Sequence, residues 1–203
     1  MHRFFLGLSK LMAIIGGAVL SALVALVVLS IVGREINALL HSDFAQTHMK
    51  GLADWLLALA LPGPWGPISI GPVNGDYELV EAGMAFTIFA FLPLAQMSGS
   101  HATVDVFTSM MSERTNRVLR AISEVAFAVV LVIIAIQLLK GTESKMHRHQ
   151  TTFLLQFPVW WAYAASLVGA SVAAVVSIYT AIVRVAEMVT GHEIMPHGEG
   201  AGH

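Results

Sequence analysis

The stretch Gly75-Asp76-Tyr77-Glu78-Leu79-Val80-Glu81 sets three carboxylates directly ahead of AGMAFTIFAFLPLAQM, a run without formal charge. Carboxylates in that place have two chemistries open to them. They can bind a cation on a transport path, or they can serve a helix start, where unsatisfied N–H groups and the positive end of the helix dipole favour negative charge. A carrier needs ionisable groups near the middle of the membrane, where a charge costs several kcal/mol and persists for function. Every Asp, Glu, Lys and Arg of this chain lies in a loop or near the end of an apolar run. The pattern therefore argues against a self-contained ion carrier and for a helical scaffold. Asp76 and Glu78 read as helix-entry acids, and Glu81, one turn deeper, as the acid best placed to meet a partner's polar group.

Other chemistries find less support. Haem held between facing helices, as in the membrane anchor of a redox enzyme, needs histidine inside the membrane. All nine histidines fall outside the apolar runs, with His101 the nearest to one. His147 and His149 flank Arg148 in MHRHQ, but two histidines without a third ligand read as a solvated loop rather than a metal site. Serines within the apolar runs have no histidine or lysine beside them to act as base. No phosphate-binding loop is present. Without cysteine there are neither disulfides nor thiolate metal sites. No enzyme activity, cofactor or metal is expected.

The elements that position these residues follow from composition. Hydrophobic residues make up 56% and charged residues 12% of 203 positions, far from the balance of a soluble domain. A crossing needs about 20 apolar residues. Leu11 to Val32 supplies 22 without charge or proline, too many for the apolar part of a signal peptide. A second run starts at Ala82. A third, Val125 to Leu139, is only 15 residues long and must extend back through Glu124 and Arg120, one turn apart and able to pair. The fourth, Phe153 to Val183, is 31 residues without charge and starts near Pro158, tolerated in a first helical turn. The expectation is an all-α integral membrane protein with a single membrane domain over 1–190. Its spans lie near 11–32, 80–99, 118–139 and 157–183, and a flexible tail occupies 191–203.

Between the first two spans, the loop 33–76 holds HMKGLADWLLALAL, too short to cross, then the turn-rich PGPWGPISIGP. A short interfacial helix over 48–61 is expected, with Trp55 and Trp65 at headgroup depth. Basic residues are nearly balanced between the two sides. Their local density, three arginines in the short stretch before the third span, leans toward cytoplasmic termini. In the fourth span Ala162, Ser166, Ala170 and Ala174 recur every fourth residue, beside Ala165, Gly169, Ala173 and Ser177, so close helix packing is expected there. Gly17, Ser21 and Ala25 form a weaker stripe on the first span.

Taken in order, these features match a family pattern. A first helix ending in Arg34 is followed by Gly75, Asp76, Glu78 and Glu81 ahead of the second. LPLAQMSGSHATVDVF then runs from Leu92 to Phe107 and includes Gln96. Gly141 follows the third apolar run, and TTFLLQFPVWWAY, from Thr151 to Tyr163, leads into the fourth. Nearly the whole chain resembles the small, Q-type membrane subunit of tripartite ATP-independent periplasmic transporters. The resemblance implies a bacterial inner-membrane protein with two partners, a large membrane permease subunit and a periplasmic solute-binding protein, alongside membrane lipids. It implies sodium-coupled uptake of an organic acid or similar solute, in which the small subunit braces the large one and helps to dock the binding protein. Ion and substrate sites are implied for the large subunit alone. The alternatives are a membrane anchor of a redox enzyme and an independent four-span adaptor.

Within this pattern Gly99 permits a tight turn, and Asp105 can cap the next helix. His101 reads as a hydrogen-bonded loop residue. Trp160, Trp161 and Tyr163 form an aromatic girdle that anchors the depth of the last helix. The sequence departs from the compact family pattern in the long loop from Asn37 to Asn74, whose interfacial segment is expected to widen the docking platform.

Overall fold

The computed structural model describes residues 2–58, 61–63, 66–68, 71–98 and 112–191. Gly99, His101 and Asp105, Trp65, and the tail beyond Gly191 lie outside the described residues.

Lipid offers no hydrogen bonds to a backbone, so an apolar chain must satisfy its own N–H and C=O groups, which a continuous helix does. Helix α1 (His2–Leu40) obeys this over its uncharged centre and continues at both ends through Arg3, Lys10, Arg34 and Glu35. At 1.5 Å per residue it is about 58 Å long, nearly twice a bilayer core of about 30 Å. Ser42 then opens α2 (Asp43–His48) by accepting the Ala45 N–H at 3.4 Å. Met49, with φ −136°, breaks the helical path, and α3 (Lys50–Leu57) follows. The short helix expected over 48–61 is α3, and α2 is a further short helix just ahead of it. Beyond them a three-residue antiparallel ladder joins β1 (Leu61–Gly63) to β2 (Gly66–Ile68), with Leu61 opposite Ile68. Prolines at 62, 64 and 67 rule out helix and leave only a brief extended pair.

Helix α4 (Asp76–Ser98), α5 (Glu113–His147) and α6 (Trp160–Thr190) are the remaining helices among the described residues. With α1 they make four helices long and apolar enough to cross a membrane. Ser112 caps α5 through the Thr115 N–H at 3.3 Å. The expected backward extension of the third span through Arg120 and Glu124 is thus helical, and it reaches a further two turns. Pro158, expected in the first turn of the fourth span, stands just before it. Its carbonyl accepts the Trp161 N–H at 3.1 Å, and it forms an isolated bridge with Thr151. Helix α6 stops at Gly191, whose left-handed φ of 75° lets its N–H return to the Glu187 carbonyl at 3.0 Å.

The helices run up, down, up and down, and α6 lies between α4 and α5. More than half of its most apolar stretch is buried, against less than a fifth for each of the others. Small residues are the cause. Ser166, Gly169, Ala170, Ala173, Ala174 and Ser177 are all buried, and a Cβ added to Gly169 would sit 3.0 Å from Phe89 Cβ on α4. Between helices in lipid, close backbone approach of this kind replaces the hydrophobic effect as the source of stability. On the α5 side, Leu131 packs on Ala173 and Ala174, with Leu92 of α4 beside them.

Helix α1 lies on the other flank of α4. Gly16 faces Ala90, and Gly83 faces Leu23, each so close that an added Cβ would meet its neighbour at 2.8 and 2.7 Å. The stripe Gly17, Ser21 and Ala25 is not the face used. A Cβ on Gly17 would meet nothing within 4 Å, and Ser21 and Ala25 are exposed. At the far end from Gly75, Phe5 of α1 stacks on Tyr179 of α6 at 4.3 Å beside Met97 and Val176. There the polar groups are enclosed. Glu124 turns into the α5–α6 contact and accepts the Thr180 hydroxyl at 3.4 Å, and Arg184 pairs with buried Glu187 at 2.8 Å. Buried acids of this kind are tolerated because they are partnered.

Candidate functional site

Most of the described residues singled out by sequence lie at one end of the molecule, around the turn that enters α4. Ser30 is fully buried near the end of α1. Its hydroxyl donates to Asp76 and accepts the Val73 N–H at 3.2 Å. One turn further along α1, a Cβ on Gly33 would overlap the Gly71 carbonyl, so glycine there lets the connection 71–76 lie flat along the helix. Asp76 also takes the N–H of Tyr77 on Oδ1 at 2.7 Å, which serves an orphan donor of its own first turn. Arg34 beside Gly33 is exposed.

Gly75 carries φ +77°, a left-handed conformation that costs other residues energy, and any Cβ there would overlap the Leu155 side chain. Both constraints act together. Leu155 belongs to the loop between α5 and α6, and the same loop is held by Glu78. The Glu78 carboxylate accepts the N–H of Leu154 at 2.7 Å and of Leu155 at 2.9 Å, one on each oxygen. An ionised carboxylate is a pure acceptor with room for both donors. Glu78 thus stands in the first turn of α4 yet serves a loop 76 positions away. Neither spacing nor composition signals that pairing.

The loop itself is a tight strap. Thr152 N–H donates to the Phe157 carbonyl at 2.9 Å, and Val159 N–H to the Gln150 carbonyl at 2.9 Å. Gln156 at its tip has φ 58° and donates from Nε2 to the Phe153 carbonyl at 3.0 Å. Lys145 of α5 ties in from the other side, donating to Gln150 Oε1 at 2.8 Å and lying 5.8 Å from the Tyr163 ring centre. Gly141 makes room for that ring, since a Cβ on it would lie 3.0 Å from Tyr163 Cε1. Trp160 and Trp161 meet edge to face at 6.2 Å, with Trp161 exposed. Pro158, Trp160, Trp161, Tyr163, Gly141, Asp76, Glu78 and Glu81 are therefore grouped. Gly169 lies two turns deeper along α6. Gln96 lies at the opposite end of α4, buried with neither amide atom bonded to the protein.

A cleft of about 490 Å³ opens at this end between α4, α5 and the strap, floored by α6. Glu81, Ala85 and Phe89 form one wall and Leu138 the other, while Phe157 comes from the strap and Ser166 from the floor. Glu81 is exposed at its mouth. Among the described residues no group of three or more His, Asp or Glu is placed to hold a metal.

What this arrangement does chemically is hold four helix ends in register. Asp76 ties α4 to α1, Glu78 ties α4 to the entry of α6, and Lys145 with Gly141 ties α5 to that same entry. No curated protein and no solved structure matches the chain. The family model described as "Tripartite ATP-independent periplasmic transporters, DctQ component" matches residues 69–187, from just before the Gly75 turn to the last turns of α6. That stretch is more than half of the chain and holds α4, α5, nearly all of α6 and every contact of the strap, so the chain belongs to the DctQ component family of tripartite ATP-independent periplasmic transporters.

Proposed function

We propose that this chain is the non-catalytic small permease subunit of a tripartite secondary transporter. In this reading it braces a large membrane subunit and helps to dock a periplasmic solute-binding protein during sodium-coupled uptake of an organic acid or similar solute. The Gly75 end faces the periplasm, and the carboxyl-terminal end of α6 faces the cytoplasm of a bacterial inner membrane. Substrate specificity lies with the binding protein, and the chemistry of ion coupling with the large subunit.

The observation that carries this reading is the contrast between a locked centre and uncovered flanks, within a chain of this family. Helix α6 is packed on two sides and the strap fixes its entry. Helix α1 leaves Ile14, Val24 and Leu29 exposed, and α5 leaves Ile122, Val129 and Ile133 exposed. A rigid element with long apolar edges suits enlargement of a partner's fixed scaffold in the membrane. The long loop, with exposed Leu52 and Trp55 on α3, supplies further surface at the periplasmic end.

Purification of this chain from its native membrane in mild detergent tests the reading. A much larger polytopic subunit is expected to co-purify. Recovery of the chain alone across several mild detergents would count against it.

A further inference from the structure

The cleft beside the strap has a use that bracing does not require. Its walls are largely apolar, and its two acids differ in state: Glu78 is engaged by the strap, while Glu81 stands exposed at the mouth. Deeper inside, Ser166 is 2% exposed, and its hydroxyl has no partner. Among the described residues the Ser9 and Thr152 hydroxyls are also buried without a partner, and Thr152 lines the same cleft. Ser21, Thr87, Ser98, Thr142, Ser177, Thr180 and Thr190 each return their hydroxyl to a carbonyl three or four residues earlier. Ser166 instead lines the cleft.

Depth orders these groups. Helices α4 and α6 start at the same end and run side by side, with Gly169 level with Phe89. The same offset sets Glu81 level with Trp161, and Ser166 five residues deeper, about 7.5 Å along the helix. A ligand lying along the cleft meets a carboxylate at headgroup level, then the Ser166 hydroxyl with apolar Ala85 and Leu138 at about the same depth, then Phe89 below them. We infer that this cleft binds a phospholipid with a primary ammonium head group from the leaflet at the Gly75 end. The ammonium donates to Glu81, an ester carbonyl accepts from Ser166, and an acyl chain fills the gap between α4 and α5. One basic side chain of a partner protein would satisfy Glu81 but leave most of about 490 Å³ empty, which is why a lipid is the favoured occupant. Both charge and volume are then matched, since buried polar groups seek partners and apolar clefts exclude water.

The test uses the full chain in mild detergent with mixed phosphatidylethanolamine and phosphatidylglycerol, read by native mass spectrometry. The wild type is expected to retain phosphatidylethanolamine over phosphatidylglycerol by about fivefold or more, a preference of the size that one charge-assisted hydrogen bond supports. Glu81→Gln is expected to bring the two lipids to near parity while lipid is still bound. Ala85→Trp, which fills the apolar wall, is expected to remove the retained lipid. A thermal melt of each variant confirms that the helices remain assembled. Equal retention of both lipids by the wild type would overturn the inference. So would a preference unchanged in both folded variants, or a cross-link from Glu81 to a lysine of the large subunit with no lipid retained. The lipid measurements do not bear on co-purification of the large subunit, and the cross-link would overturn the lipid while supporting that association, so the two readings fail separately.

Discussion

Leu155 donates its backbone N–H to Glu78 Oε2 at 2.9 Å, joining the strap before α6 to the first turn of α4 across 77 positions of sequence. Leu154 does the same to the other oxygen at 2.7 Å. Removing the carboxylate leaves two N–H groups without their acceptor. Glu78→Ala is therefore expected to speed amide hydrogen exchange at residues 154 and 155 by about tenfold or more, with the helices retained. Exchange measured by mass spectrometry in detergent checks this, and Glu78→Gln, which keeps one acceptor oxygen, is expected to fall between.

Gly75 faces the same leucine from the other side. Gly75→Ala combines a left-handed backbone, costing about 1–2 kcal/mol for a side chain with a Cβ, with overlap on Leu155. Its thermal stability is expected to drop. Adding Leu155→Ala is expected to restore the steric part but not the backbone part. A double-mutant cycle on melting temperature separates the two.

Adjacent glycines on α1 should behave in opposite ways. Gly16→Ala puts a methyl group 2.8 Å from Ala90 Cβ at the α1–α4 contact, and overpacking there is expected to destabilise by about 1–3 kcal/mol. Gly17→Ala meets nothing within 4 Å and is expected to be neutral, or to gain up to about 1 kcal/mol from better helix propensity. Detergent melts of the two single variants compare them directly.

The first and fourth crossings were legible because each rests on a long charge-free run, and the second and third from shorter runs extended through flanking charged residues. The packing of α6 was legible because small residues repeat at helical spacing. The Gly75 turn was legible only in part. Glycine followed by acids signals a helix entry, but Asp76 and Glu78 find partners on α1 and on the strap, and those contacts depend on how four helices are arranged. Helix ends were also understated. Charged residues such as Arg34 and Glu35 end a membrane span without ending a helix, so α1 runs eight residues past Val32. The short helix within 48–61 was legible from its apolar content, but α2 ahead of it was not, because its start rests on the Ser42 cap. The stripe Gly17, Ser21 and Ala25 shows that spacing alone does not say which face is covered. Glu81 stood out by position, and its cleft emerged only when α4, α5 and the strap were brought together.

The long first loop is expected to matter for docking rather than for insertion. Its two short helices pack against α1 and against each other. Deleting His48 to Pro67 should leave the chain inserted and bound to the large subunit, yet lower the affinity for the binding protein by about tenfold, the effect of losing one contact of about 1.4 kcal/mol. Binding titrations on the reconstituted complex check this, and unchanged affinity with unchanged uptake would remove the loop from the docking surface.

Uptake by purified components tests the central claim, that this chain is an obligate but non-catalytic part of a tripartite transporter. The large subunit is reconstituted in liposomes with and without this chain, in the presence of the binding protein, its solute and an inward sodium gradient. The account predicts solute accumulation only when both membrane subunits are present, and none with this chain alone. Full-rate accumulation by the large subunit without it, or sodium-driven accumulation by this chain alone, would contradict the account.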